Sequence, residues 1–291
     1  MRLQGSIPAL ITPFKADFSV DYERLGQLLA FHVAQGSAGV LILGTTGESS
    51  TMTFEEEQEM VAFCAKKLGG RLPLIVGAGS NATATAISNG LAFEAAGADA
   101  LLLIEPYYNR TNDAGMLKHF ELVAEKVKVP IVLYTVPGRT GCAISVNVVE
   151  KLAKHPKIIG IKDATGDFSY TTAISRFVSE EFQLYSGNDD TIVPLMALGG
   201  SGVISVWANF MPKTVADLIS LCATSQYKEA VALQHKHLDL VNALFVETNP
   251  IPLKYVMSKL GLDAGVMRLP LDTLSSHHQA HLNGLLAALQ Q

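Results

Sequence analysis

Residues 131–162 read IVLYTVPGRTGCAISVNVVEKLAKHPKIIGIK. Two short β-rich apolar runs, Ile131–Thr135 and Ile158–Lys162, bracket a Pro- and Gly-containing turn and a longer stretch of helical character. The same alternation runs outward in both directions. Ile7–Thr12, Gly39–Leu43, Leu74–Gly77 and Ala100–Glu105 precede this unit, Gln183–Ser186 and Gly202–Val206 follow it, and each leads into a helical segment. Asp21–Ala34 is a clear example, with Leu25, Leu28, Leu29 and Val33 at helical spacing behind Asp21 as cap. Eight strand–helix units predict a parallel sheet covered by helices. Closed on itself, such a sheet is a (β/α)8 TIM barrel; an open doubly wound sheet carries the same alternation and is the alternative. From Gln226 the strand signal stops, and Gln226–Val246, Pro252–Leu260 and Ser275–Gln291 read as helices. The expected organisation is an α/β barrel over residues 1–225 and a C-terminal helical extension over 226–291, with no flexible linker between them.

Bulk properties narrow the function classes. The 291 residues are 48% hydrophobic and 17% charged, which describes a globular chain with material for a large core. A formal net charge of -5 and no basic cluster argue against nucleic-acid binding. Apolar runs are broken by Gly, Pro or charge well short of a bilayer crossing, so no membrane partner is expected. The start, Met1–Phe14, lacks the pattern of a signal peptide. The 3 cysteines, Cys64, Cys142 and Cys222, are odd in number and widely spaced, which predicts packed thiols in a reducing cytoplasm.

In a barrel of this kind chemistry sits where strands end. Lys162 closes Ile158–Lys162, where burial disfavours the ammonium form and leaves the neutral amine that attack on a ketone requires. An ion pair to Asp163 or a neighbouring strand is the competing reading. Tyr134 ends the preceding strand, within reach as a proton relay, or else as a core tyrosine with a satisfied hydroxyl. Gly44-Thr45-Thr46-Gly47-Glu48 follows the second strand and offers hydroxyls and N–H groups suited to a small carboxylate, or is a plain Gly-rich turn. Arg139, in Val136-Pro137-Gly138-Arg139-Thr140-Gly141, can grip a second carboxylate in two-pronged fashion, or be an exposed ion-paired arginine. Pro106-Tyr107-Tyr108-Asn109 adds two phenols to the same rim. His277, His278 and His281 cluster without an acidic or cysteine partner nearby and read as a solvated helix face, so no metal site is expected. No Walker loop, dinucleotide fingerprint, Ser-His-Asp order or H-E-x-x-H motif occurs.

Taken together and in order, Gly44–Glu48, Pro106–Arg110, Tyr134–Gly141, Gly160–Gly166 and Phe245–Pro252 resemble the dihydrodipicolinate synthase family over nearly the whole chain. The resemblance implies 4-hydroxy-tetrahydrodipicolinate synthase activity, a lyase reaction that condenses pyruvate with L-aspartate 4-semialdehyde in lysine biosynthesis through diaminopimelate. It implies a homotetramer, and no metal or organic cofactor. By position, Lys162 corresponds to the Schiff-base lysine, Tyr134 to the proton donor and acceptor, and Thr45 and Tyr108 to a relay whose Tyr108 comes from a neighbouring subunit. Thr46, Ile204 and Gly187 fall at pyruvate-binding positions, and Arg139 at the semialdehyde-carboxylate position.

Departures from the family pattern are Thr135, Gly138 and Asp163, beside the catalytic residues. Ser49, Ser50, Ser80, Asn81 and Tyr107 match the surroundings of a lysine-inhibition site, but Phe54 and Thr85 replace its usual His and acidic residue, so weak inhibition is expected. The closest rival reading is another pyruvate-dependent aldolase, such as N-acetylneuraminate lyase or a 2-keto-3-deoxy sugar acid aldolase. Arg139 and Tyr108 favour the synthase. A non-catalytic metabolite-binding barrel is opposed by the joint presence of Lys162, Tyr134 and Thr45.

Overall fold

The computed structural model describes residues 3–288, so the last residues of the expected Ser275–Gln291 helix lie outside it. Eight strands form one parallel sheet: β1 Gly5–Pro8, β2 Val40–Ile42, β3 Leu74–Gly77, β4 Ala100–Ile104, β5 Ile131–Thr135, β6 Ile158–Asp163, β7 Gln183–Ser186 and β8 Gly202–Ser205. Their order is β1-β8-β7-β6-β5-β4-β3-β2. A bridge between Ala9 and Leu41 and the bond from Leu10 N–H to the Leu41 carbonyl (2.8 Å) join β1 to β2. The sheet is therefore a closed barrel with helices outside it, and the open-sheet alternative falls.

Strand faces follow the two-residue period of the β-chain. Val132 and Tyr134 on β5 point into the barrel with Ile7, Leu102, Tyr185 and Ile204. Ile131 and Leu133 point outward to the helix-covered core. On β6 that period is interrupted. The β5–β6 register shifts between Ile131 and Val132, leaving Ile159 without a partner, as in a β-bulge. Ile158 faces out, Ile159 faces in, and Ile161 faces out again. A side chain on Gly160 would meet the Gln183 carbonyl at 2.5 Å and the Tyr185 ring at 3.1 Å, so this second inward position takes only glycine. Strict alternation would have put Lys162 on the outward face with Ile158; the bulge turns it inward.

The expected first strand, Ile7–Thr12, sits differently: β1 ends at Pro8. Beyond it the Leu10 N–H makes the bridging bond to the Leu41 carbonyl, and the Ile11 N–H turns to the Asn209 side chain, where the ladder stops. The expected Asp21 cap accepts the Arg24 N–H at 2.9 Å and opens the helix Tyr22–Ala34. Tyr227–Ala243, Ile251–Lys259 and Ser276–Ala288 are the C-terminal helices. They are anchored beneath the β2 loop by a buried ion pair between Lys254 and Glu48, and Arg268 pairs there with Glu56. Among the described residues, no helix is long and apolar enough to cross a membrane.

Candidate active site

A cavity of roughly 900 Å³ opens at the C-terminal ends of the strands. Its wall brings together Thr45, Thr46, Tyr134, Arg139, Lys162 and Gly187 from the sequence-expected set. Lys162 is only 6% exposed. Tyr134 and Lys162 are register partners on β5 and β6, and the lysine Nζ lies 4.4 Å from the phenol ring centre. Asp163 does not take the lysine: its carboxylate accepts from Thr165 N, Thr165 Oγ1 and Thr171 Oγ1 on the outer side. Burial brings the Lys162 pKa down to about 8, against the pull of the Asp189 carboxylate and helped by the Arg139 charge. The contrast with Lys254 is informative. That lysine is also buried but is matched to Glu48 and to the Val266 carbonyl at 2.7 Å, as a structural cation would be.

Burial pushes the Tyr134 pKa up to about 12, against the lowering influence of the Arg139 charge and the nearby Thr45 side chain, so the phenol holds its proton at neutral pH. Thr45 opens a tight turn, Thr45–Gly47, flanked by Leu43 and Glu48, both at φ 55. Left-handed backbone at two non-glycine residues stores strain beside the cavity. The turn is held from below by Thr12, whose hydroxyl donates to the Gly47 carbonyl at 2.6 Å. Glu48 leaves the anion-binding loop that the sequence suggested, because its carboxylate is spent on Lys254 and the Arg268 N–H. A side chain on Gly187 would meet Ala164 Cβ at 2.6 Å, so the backbone itself forms the wall there. Ile204 lies in the apolar barrel interior below the cavity and does not line it, whereas Val206, just past the end of β8, does.

Tyr108 is not in the site of its own chain. It is 92% exposed and held at φ 64, while Tyr107 turns inward to the cavity. The expected inhibition-site residues divide. Ser49, Ser50 and Tyr107 line the cavity, together with Glu57 and Asn89, whereas Ser80 caps the Ala82 N–H and the Asn81 carbonyl accepts from Asn109. Burial, with Glu56 nearby, raises the Glu57 pKa to about 7.

Four contributors escaped the sequence reading as site residues. Asn249 donates from Nδ2 to Thr46 Oγ1 at 2.8 Å, and its carbonyl accepts from Arg139 Nη2 at 3.3 Å. The segment 245–249 thus crosses the barrel mouth, and the C-terminal extension is part of the cavity wall. Asp189 sits 2% exposed, with Oδ2 accepting the Val206 and Trp207 N–H groups at 2.9 Å. Glu105 is fully buried at the end of β4. Glu57 is the fourth. His278, read as solvated, is bonded through Nδ1 to Glu247 at 2.7 Å. The acidic partner is 31 positions away in sequence, beyond a local pattern search. Among the described residues no three His, Cys, Asp or Glu side chains converge as metal ligands.

The arrangement is a buried amine of lowered basicity, a proton-bearing phenol against it, a hydroxyl behind the phenol and a guanidinium at the rim. Residues 2–289 match the model of the dihydrodipicolinate synthetase family. The chain is 41% identical, over 98% of its length and 96% of the relative's, to the 4-hydroxy-tetrahydrodipicolinate synthase of Thermoanaerobacter sp. (strain X514). Its structure is similar to that of dihydrodipicolinate synthase from Aquifex aeolicus, with a TM-score of 0.96, 41% identity and coverage of 99% and 98% of the two chains. It is also similar to a monomeric dihydrodipicolinate synthase variant, with a TM-score of 0.95, 32% identity and coverage of 98% and 96%.

Proposed function

The chain belongs to the dihydrodipicolinate synthetase family, and on that footing we propose that it condenses pyruvate with L-aspartate 4-semialdehyde through an imine on Lys162. It is an enzyme, a lyase. The observation that carries the mechanism is the state of Lys162: buried, turned into the cavity, free of Asp163 and with its pKa brought down to about 8, so that the neutral amine is within reach near physiological pH. Its Nζ attacks the pyruvate ketone, and the carbonyl oxygen leaves as water. The iminium draws electrons as a methyl proton departs, giving an enamine. The enamine carbon bonds to the aldehyde carbon, and the aldehyde oxygen takes a proton delivered through Tyr134 and Thr45. Attack by the substrate's own amine then displaces Lys162 and closes the ring.

In this reading the Thr46 turn and the Gly187 wall hold the pyruvate carboxylate, and Arg139 holds that of the semialdehyde. Ile204 packs under the bound pyruvate. Tyr108 serves a neighbouring copy: a phenol 92% exposed and held in left-handed backbone has no use in its own chain. A homotetramer in the cytoplasm is the expected form. Lysine is a weak effector at most, since Phe54 stacks toward Phe93 (6.2 Å) and Thr85 offers no carboxylate for a ligand ammonium.

Turnover that requires both substrates, followed through the next, NADPH-dependent reduction, tests the reading. Pyruvate turnover with sugar-derived aldehydes but not with the semialdehyde would move the chain to the sugar-acid aldolases.

A further inference from the structure

Glu105 is fully buried one residue past β4, where the barrel mouth begins. Its Oε1 accepts the Val136 N–H at 2.9 Å and the Thr140 hydroxyl at 2.7 Å. Its own N–H donates to the Tyr134 carbonyl at 3.2 Å. Its Oε2 has no protein partner. One side chain thus grips both ends of the helical turn Pro137–Thr140, which carries Arg139. Among the described residues no other side chain from outside the turn bonds both of its ends, while the Arg139 guanidinium itself donates to the Asn249 carbonyl at 3.3 Å. Val136, the residue before it, supplies no side-chain cap, and on the far side Arg110 holds the Gly141 carbonyl at 2.8 Å. Thr140 has one hydroxyl proton and three acceptors within reach: Glu105 Oε1, the Cys142 carbonyl at 2.8 Å and the Val136 carbonyl at 3.2 Å. The direction of that proton depends on what stands at position 105.

A buried carboxyl with an orphan oxygen opposes folding. Placed where it closes the two ends of a rim turn, it fixes the angle at which the guanidinium enters the cavity. We infer that Glu105 is a positioning residue for Arg139, setting affinity for the carboxylate of the aldehyde substrate without touching it. The inference rests on the role proposed above for Arg139. It does not involve Lys162, whose strand Glu105 does not contact by any bond of its carboxylate.

The experiment compares Glu105→Ala and Glu105→Gln with the unmodified enzyme in KM for each substrate, in kcat, and in amide hydrogen exchange over residues 136–141. Glutamine keeps the Oε1 acceptor. The expected result for Glu105→Ala is a rise of about ten- to hundredfold in KM for the semialdehyde, the scale of a small misplacement. Its pyruvate KM and borohydride trapping should stay unchanged, with faster exchange confined to the turn. Glu105→Gln should restore most of the semialdehyde affinity. Equal losses for both substrates, or an unchanged semialdehyde KM with native folding, would overturn the inference. If the unmodified enzyme turned over another aldehyde acid instead, the substrate reading would fail separately, and the same split read with that aldehyde would decide Glu105.

Discussion

Lys162 and Tyr134 are paired across β5 and β6, with the lysine nitrogen 4.4 Å from the phenol ring centre. The pairing exists because β6 carries a bulge at Ile159 and a glycine at 160, which together return Lys162 to the barrel interior. A cation over a ring is weakly favourable, whereas burial of the ammonium is strongly unfavourable, so the neutral amine gains.

Imine formation should therefore rise with pH and level off above about 8, the pKa of Lys162. Below that value the reactive fraction should fall about tenfold per pH unit. Stability carries the same signature. Between pH 8 and 10.5 the unfolded chain holds a proton on this lysine that the folded chain does not, so stability rises with pH across that window. Below it the penalty is fully present, of order 3 kcal/mol. Lys162→Met should abolish activity yet stabilise the protein at pH 7 by about 1–3 kcal/mol. Denaturant unfolding at pH 7 checks this, and a destabilised variant would contradict it.

Tyr134→Phe keeps the ring against Lys162 and removes the proton carrier. Its kcat should fall by about 10²–10⁴ while pyruvate still traps on the lysine. Steady-state rates beside trapping yields separate the two effects. A kcat within a few-fold of the unmodified enzyme would remove Tyr134 from the relay.

Asn249→Ala deletes the bond to Thr46 but not the carbonyl that Arg139 uses. The pyruvate KM should rise more than the semialdehyde KM, with a stability loss of about 0.5–1.5 kcal/mol. Substrate titrations on the variant read the ratio. Equal shifts would mean that the 245–249 segment moves as a whole.

The Glu48–Lys254 pair should behave as structure. Glu48→Gln leaves a buried ammonium without its charge partner and should cost about 3–5 kcal/mol. Combining it with Lys254→Met should recover much of that loss. Urea unfolding of single and double variants tests the coupling.

The barrel was legible because strand and helix periods alternate eight times, and the Lys162–Tyr134 juxtaposition because both residues end apolar runs. The inward face of Lys162 was not legible: Ile158-Ile159-Gly160-Ile161 is apolar at every position and conceals the bulge. Asn249, Asp189 and Glu105 act through partners 203, 17 and 31 residues away. Nothing local marks such contacts, although a carboxylate ending the apolar run Ala100–Glu105 was a signal of the same kind as Lys162. Glu57 was hidden among the acidic residues of an exposed helix start, Glu55 to Glu57.

Borohydride reduction in the presence of pyruvate, read by peptide mass spectrometry, decides whether Lys162 is the nucleophile. One reduced pyruvyl group on the peptide containing Lys162, absent from Lys162→Ala and from protein treated without pyruvate, is the expected outcome. Folded protein that takes no label, or that takes it on another lysine, would contradict the Schiff-base chemistry at its root.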